Sequence, residues 1–107
     1  MKDVQRIALL FDFYGPLLTE RQQELIRAYY LEDHSLAEIA DADGVSRQAV
    51  HELIRRSEAA LQEYEQRLGF VAEHQRRLRL LDELQEALDR ADLSAARRAL
   101  AALRAEA

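Results

Sequence analysis

Arg47, Gln48, His51, Arg55 and Arg56 fall within one short stretch of the chain. On a helix, the first four share one side and Arg56 flanks them. These residue types are suited to reading a nucleic-acid duplex. A guanidinium pairs with guanine edges or with phosphate, and a glutamine amide can pair with adenine. Arg47, Gln48 and His51 would lie at the start of the helix. There side chains reach base edges, and free backbone N–H groups can meet a phosphate. Arg56 would be a weaker phosphate contact. Glu52 interrupts the same face, and the acidic flank at 38–43 opposes a polyanion. The plainer reading is a capped helical hairpin whose polar face is solvated.

Other chemistries find no residues to carry them, and the expectation is no catalytic, cofactor or metal site. The three histidines, His34, His51 and His74, are never three or four residues apart, and there is no cysteine to complete a metal shell. Asp41-Ala-Asp-Gly lacks the later ligands of a calcium loop. Ser46 and Ser57 have no base and orienting pair. Gly44 stands alone, without a glycine-rich loop to cradle a phosphate.

The arginine face needs a helix, and the helix needs a turn to deliver it. Ser35-Leu-Ala-Glu38 reads as a capping box that opens a short helix. Leu36, Ile39 and Ala40 face inward, and Gly44 ends the helix in the left-handed conformation. Ser46 caps the next helix, which can run unbroken to Leu68. Two helices joined by a short glycine turn form a helix-turn-helix. The spacing predicts Val45 and Val50 as a hydrophobic staple, with Val45 plugging the gap between the helices and Val50, Leu53 and Ile54 seating the second one. Upstream, Val4, Ile7, Ala8, Leu10 and Phe11 make a helical stripe that stops at Gly15-Pro16. Thr19-Glu-Arg-Gln22 is a second capping box, and Leu25, Ile26 and Tyr29 supply the inner face of its helix. Tyr29 and Tyr30 read as core and core-edge residues rather than stacking platforms.

Composition agrees with an all-helical chain. Leucine and alanine occur 18 times each in 107 residues, whereas valine, isoleucine and threonine together occur nine times, scattered. No alternating run suggests a strand. The length suggests one domain, 1–107, with 1–68 as the helix-turn-helix core and 69–107 as a helical tail. No stretch is long and apolar enough for membrane insertion, and the first residues do not read as a secretory signal. The net charge of −5 is unusual for a freestanding non-specific nucleic-acid binder. It is unevenly spread. Residues 21–45 hold two arginines against six acids, and residues 46–57 hold three arginines against Glu52 alone.

Leu-Thr-Glu-Arg-Gln, then Tyr29-Tyr30-Leu-Glu-Asp-His-Ser-Leu-Ala-Glu-Ile-Ala, then Val-Ser-Arg-Gln-Ala-Val resembles the DNA-binding region four of bacterial sigma factors. The chain is more closely similar to the YlxM family of small sigma-region-four-like proteins. Phe11-Asp-Phe-Tyr-Gly-Pro-Leu-Leu-Thr resembles the opening motif of that family, and Arg55 to Gly69 resembles its long fourth helix. The resemblance covers about residues 4–90, with the segment from about 93 to 105 beyond it. It implies a bacterial, cytoplasmic, all-α helix-turn-helix bundle of sigma-region-four type, with a long fourth helix and a helical C-terminal tail. It also implies a homodimer, DNA as partner, and a link to components of the signal recognition particle. That last link comes from gene neighbourhood and not from these residues. The alternative is an accessory factor that binds those components without sequence-specific DNA binding.

The tail carries apolar stripes that need a partner. Val50, Ile54, Ser57, Leu61, Tyr64, Leu68 and Val71 alternate spacings of four and three, a heptad-like seam. Leu78, Leu81, Leu84 and Leu88 follow, then Ala96, Ala99, Leu100 and Leu103. An internal hairpin, a two-fold dimer or a groove for a partner's helix would each bury them, and the length of the seam favours the dimer. Arg76, Arg77 and Arg79 read as a solvated face paired with nearby acids.

Overall fold

The computed structural model describes residues 2–105. Most of the α-helices begin where a side chain can satisfy a first-turn N–H group. Asp3 accepts from the Arg6 N–H at 3.0 Å and opens α1, Val4–Tyr14. A 3-10 turn over Gly15–Leu17, with proline near its start, ends that direction. Thr19 then caps α2, Glu20–Ile26, and both hydrogen bonds of its capping box form, at 3.1 and 3.0 Å. The helix runs on as a π-helical turn, Arg27–Leu31, that Asp33 closes at φ 55°.

Ser35 and Glu38 make the second complete capping box and open α3, Leu36–Asp43. Gly44 ends α3 at φ 69°, and the Gly44 and Val45 N–H groups both donate to the Ala40 carbonyl. Ser46 accepts from the Ala49 N–H at 3.0 Å and opens α4, Arg47–Leu68. At 22 residues α4 is about 33 Å long. Gly69, at φ 66°, ends it.

Described residues gather into two compact units that divide between Gly69 and Phe70. In the first, α4 packs against α1, α2 and α3. Leu10, Tyr14, Leu25, Ile26, Val50, Ile54 and Leu61 are buried to 2% exposure or less. Each such aliphatic side chain contributes roughly 1.5–3 kcal/mol. Ser57 is fully buried in the same stripe of α4, its hydroxyl donating to the Leu53 carbonyl at 2.8 Å. The small residue permits close packing, and its own helix satisfies its polar atom. Two tyrosine hydroxyls fasten α4 further. Tyr30 donates to Glu58, and Tyr14 donates to Glu65 one heptad on. Tyr30 is buried and Tyr29 half-buried, the reverse of the expected core and core-edge order, because the π-helical turn swings Tyr30 toward Glu58.

Two expectations change. Val45 is 46% exposed and plugs no gap. The left-handed Gly44 turns the chain so that Val45 closes α3 through its N–H while its side chain meets solvent. Val50 and Ile54 alone anchor the start of α4 deeply, with Leu53 half-buried. The heptad-like seam is occupied within the chain as far as Leu61, so those four positions offer nothing to a second copy. Beyond them Tyr64 is half-buried, its ring 5.9 Å from that of Tyr14, and Leu68 is exposed.

The second unit is a helical hairpin. α5, Phe70–Asp89, and α6, Leu93–Arg104, pack together across a three-residue turn. In that turn Ala91 takes φ 57° and Asp92 accepts from the Ala95 N–H. Small residues make the contact, since Ala87, Ala96 and Ala99 are buried. Leu78, Leu81, Leu88, Leu93 and Leu100 remain 45–59% exposed. Arg76 and Arg77 both reach Glu73 at 3.8 Å, as their spacing predicts.

Gly44→Ala tests the turn. A Cβ would meet nothing within 4 Å there, so only the backbone conformation calls for glycine. The substitution is expected to destabilise by roughly 1–2 kcal/mol in urea unfolding, and Gly44→Asn by less. Tyr30 tests the fastening of α4. Burial first, then the hydrogen bond and charge of Glu58, push its phenol well above the ordinary tyrosine value. Folding therefore favours the neutral phenol. That stabilisation is present in full below the unfolded value of about 10 and is lost as pH rises above it. Tyr30→Phe is expected to cost about 1–2 kcal/mol at neutral pH and to flatten the alkaline decline of stability.

Candidate nucleic-acid interface

The exposed side of α4 follows from its buried side. With Val50, Ile54, Ser57 and Leu61 held inward, the N-terminal half turns Arg47, Gln48, His51, Glu52, Arg55 and Arg56 to solvent, all exposed. Arg47, His51 and Arg55 recur every four residues and form one line along the helix. Gln48, Glu52 and Arg56 form a second line beside it.

The two lines differ in charge. Glu52 is 3.9 Å from the Arg55 guanidinium and 3.4 Å from that of Arg56, so it partly neutralises both. All three side chains are more than half exposed, and such pairs contribute little to stability. Among the described residues, Arg47 has no carboxylate within ion-pair distance. It is the unneutralised cation at the start of α4.

Two open cavities border the first line. Arg47 lines one of about 490 Å³, with Asp33, His34 and Ser35. His51 and Arg55 line the other, of about 470 Å³, with Tyr29, Tyr30 and Glu58. The structure thus brings Arg47, His51 and Arg55 to one cavity-bordered edge, whereas Gln48 and Arg56 border neither. Lys2 lines both cavities. The sequence reading missed it, because it precedes α4 by more than forty residues and no local pattern marks it.

The acids near the turn have structural duties. The Ser35 backbone N–H donates to the Glu38 carboxylate while the Ser35 hydroxyl oxygen accepts from the Glu38 N–H; that backbone N–H first, and then the Ser35 side chain, holds the Glu38 carboxyl below the usual range. Asp43 pairs with Arg21 across to α2. Two of the three acids of the flank, Glu38 and Asp43, thus have partners within the fold.

Residues 1–99 match the family UPF0122, described as "Putative helix-turn-helix protein, YlxM / p13 like". The chain belongs to this family. The match extends through most of α6, beyond the residues that resembled the family by motif alone. UPF0122 proteins with high similarity come from Halalkalibacterium halodurans, 49% identical over 79% of this chain and 78% of the relative, and from Shouchella clausii, 53% identical over 78% and 76%. A third, from Exiguobacterium sibiricum, is 51% identical over 76% of each chain. The all-α helix-turn-helix architecture expected of the family is the one observed, with Ser35 to Leu68 forming the two helices and their turn. Among the described residues, no helix is long and apolar enough to cross a membrane.

Because the arginines are exposed and carry no core contact, they can be removed without unfolding the unit. Arg47→Ala and Arg55→Ala are each expected to change unfolding free energy by less than about 0.5 kcal/mol, with helical circular dichroism retained.

Proposed function

We propose that the chain is a cytoplasmic helix-turn-helix regulator that reads duplex DNA with the first half of α4. The observation that carries this reading is the line of Arg47, His51 and Arg55. A left-handed glycine turn presents it on a helix fastened to the core along its other side. In this role Arg47 and Gln48 meet base edges, His51 and Arg55 follow, and Arg56 contacts phosphate more weakly because Glu52 competes for it. Membership of a helix-turn-helix family supports nucleic-acid binding in general. The link to signal recognition particle components rests on the family resemblance alone.

A second activity has one observation in its favour, the five exposed leucines of the α5–α6 hairpin. A homodimer formed through that face would bury them and present two reading helices to two half-sites about one helical turn apart. The same face could instead take a protein partner from the targeting machinery.

A crosslinked pull-down of the tagged chain from its own cells separates these roles. Wild type is compared with the Arg47→Ala/Arg55→Ala variant, and nucleic acid and protein are read out together. The expected result is a set of discrete DNA segments that the double variant no longer recovers. If Arg47 meets a base edge, its removal weakens binding by roughly 1–3 kcal/mol. Recovery of signal recognition components that survives the double substitution, with no enriched DNA, would overturn the DNA-reading role. Function would then lie in protein contacts.

A further inference from the structure

We propose that Lys2 is a phosphate-backbone contact of this interface, so that the nucleic-acid footprint extends from α4 onto the N-terminal segment. The inference rests on the duplex-reading role and deepens it.

Lys2 is held in place. Its ammonium donates to the Tyr29 carbonyl at 2.7 Å, lies 3.8 Å over the Tyr29 ring and is 3.4 Å from the Asp33 carboxylate. The π-helical turn makes this seat. The Arg27 and Ala28 carbonyls accept from the Glu32 and His34 N–H groups, and the Tyr29 carbonyl accepts the ammonium. A cation at a helix C-terminus also meets the negative end of the helix dipole.

The position of the charge gives it a use. Lys2 lines the cavity of Arg47 and also the cavity of His51 and Arg55, so it stands beside the line they form. Its side chain is 27% exposed, and an ammonium has three donors, of which two have partners. The third can meet a phosphate oxygen. Two carboxylates face the cavities. Tyr30 donates to Glu58, and Asp33 is 95% exposed, so solvent weakens its hold on Lys2. A phosphate would find a cation already ordered there, with little side-chain entropy left to lose.

The test uses the full chain and a duplex that the wild type enriches from a random-sequence pool. Affinity is measured against salt concentration. Lys2→Gln is expected to weaken binding about fivefold and to lower the slope of log affinity against log salt by about 0.9, the loss of one phosphate contact. Lys2→Arg should retain both values. Asp33→Asn removes a carboxylate from the footprint, and asparagine suits the positive φ of that residue. It is expected to strengthen binding two- to threefold.

A purely structural role for Lys2 predicts the opposite sign at Asp33, because losing the ion pair would loosen the seat and weaken binding. An unchanged slope in Lys2→Gln, or weakened binding in Asp33→Asn, overturns the proposal while duplex binding itself stands. Binding that ignores Arg47→Ala/Arg55→Ala but responds to Lys2→Gln overturns the reading role of α4 and keeps the phosphate role of Lys2. Failure of the wild type to enrich any duplex overturns both.

Discussion

The rotation of α4 about its own axis is the constraint on which the first unit depends. One stripe of that helix, Val50, Ile54, Ser57 and Leu61, is shared among three shorter helices that have few buried contacts without it. Burial alone sets rotation loosely, since an apolar stripe covers a broad arc of the helix surface. The tyrosine hydrogen bonds sharpen it. Glu58 and Glu65 lie on one edge of the buried stripe, seven residues apart, and each meets a hydroxyl from a different helix. A rotated α4 would leave two partly buried phenols without acceptors, which costs more than the hydrogen bonds themselves contribute. The placement of Arg47, His51 and Arg55 therefore depends on the buried stripe and on two carboxylates at its edge, Glu58 and Glu65.

A second consequence concerns how the edge of the interface is built. A regular end to α2 would use its last carbonyls in the usual pattern. The π-helical turn widens that end, brings Tyr30 to Glu58 and leaves Tyr29 to hold Lys2. Such turns recur at functional sites because they re-aim side chains without ending the helix. Here one irregularity serves stability through Tyr30 and charge placement through Tyr29. Helices α1 and α2, which carry none of the sequence-evident reading residues, thereby shape the surface around those residues.

What could be read beforehand was local. Thr19 with Gln22, Ser35 with Glu38, Ser46, and Gly44 are signals that span five residues or fewer, and each acts where its spacing predicts. The start of the buried stripe of α4, Val50 and Ile54, was legible as core, but the reach of that core was not. The longer seam left a hairpin, a second copy or a partner helix open and favoured the second copy, yet Ser57 and Leu61 are buried in the same core as Leu10, Tyr14 and Leu25. Val45 misled because apolar character implies burial, whereas a left-handed glycine just before it decided the direction of its side chain. The Tyr30–Glu58, Tyr14–Glu65 and Lys2–Tyr29 contacts join residues 28, 51 and 27 positions apart. No pattern in one sequence marks such pairs, because their partners are chosen by the packing of helices that the local signals only begin and end.

The charge balance looks unfavourable for a duplex reader until the acids are sorted by what they do. Glu38 closes a capping box, Asp43 holds α3 to α2 through Arg21, and Asp33 pairs with Lys2. Each of these carboxylates has a partner within the fold, so the net charge of −5 overstates the acidity left free near α4. At physiological ionic strength the field of an exposed charge fades over about 8 Å. A phosphate near the first half of α4 would respond chiefly to Arg47, His51, Arg55 and the acids that border them. The remaining acids act at longer range, where they disfavour indiscriminate attachment to nucleic acid. For a reader of specific sites this is an advantage, since specificity is the ratio of two affinities and lowering the non-specific one raises it. In the proposed role discrimination would fall to the few groups able to meet base edges, and among the arginines of that face Arg47 is the one whose charge no neighbouring carboxylate shares.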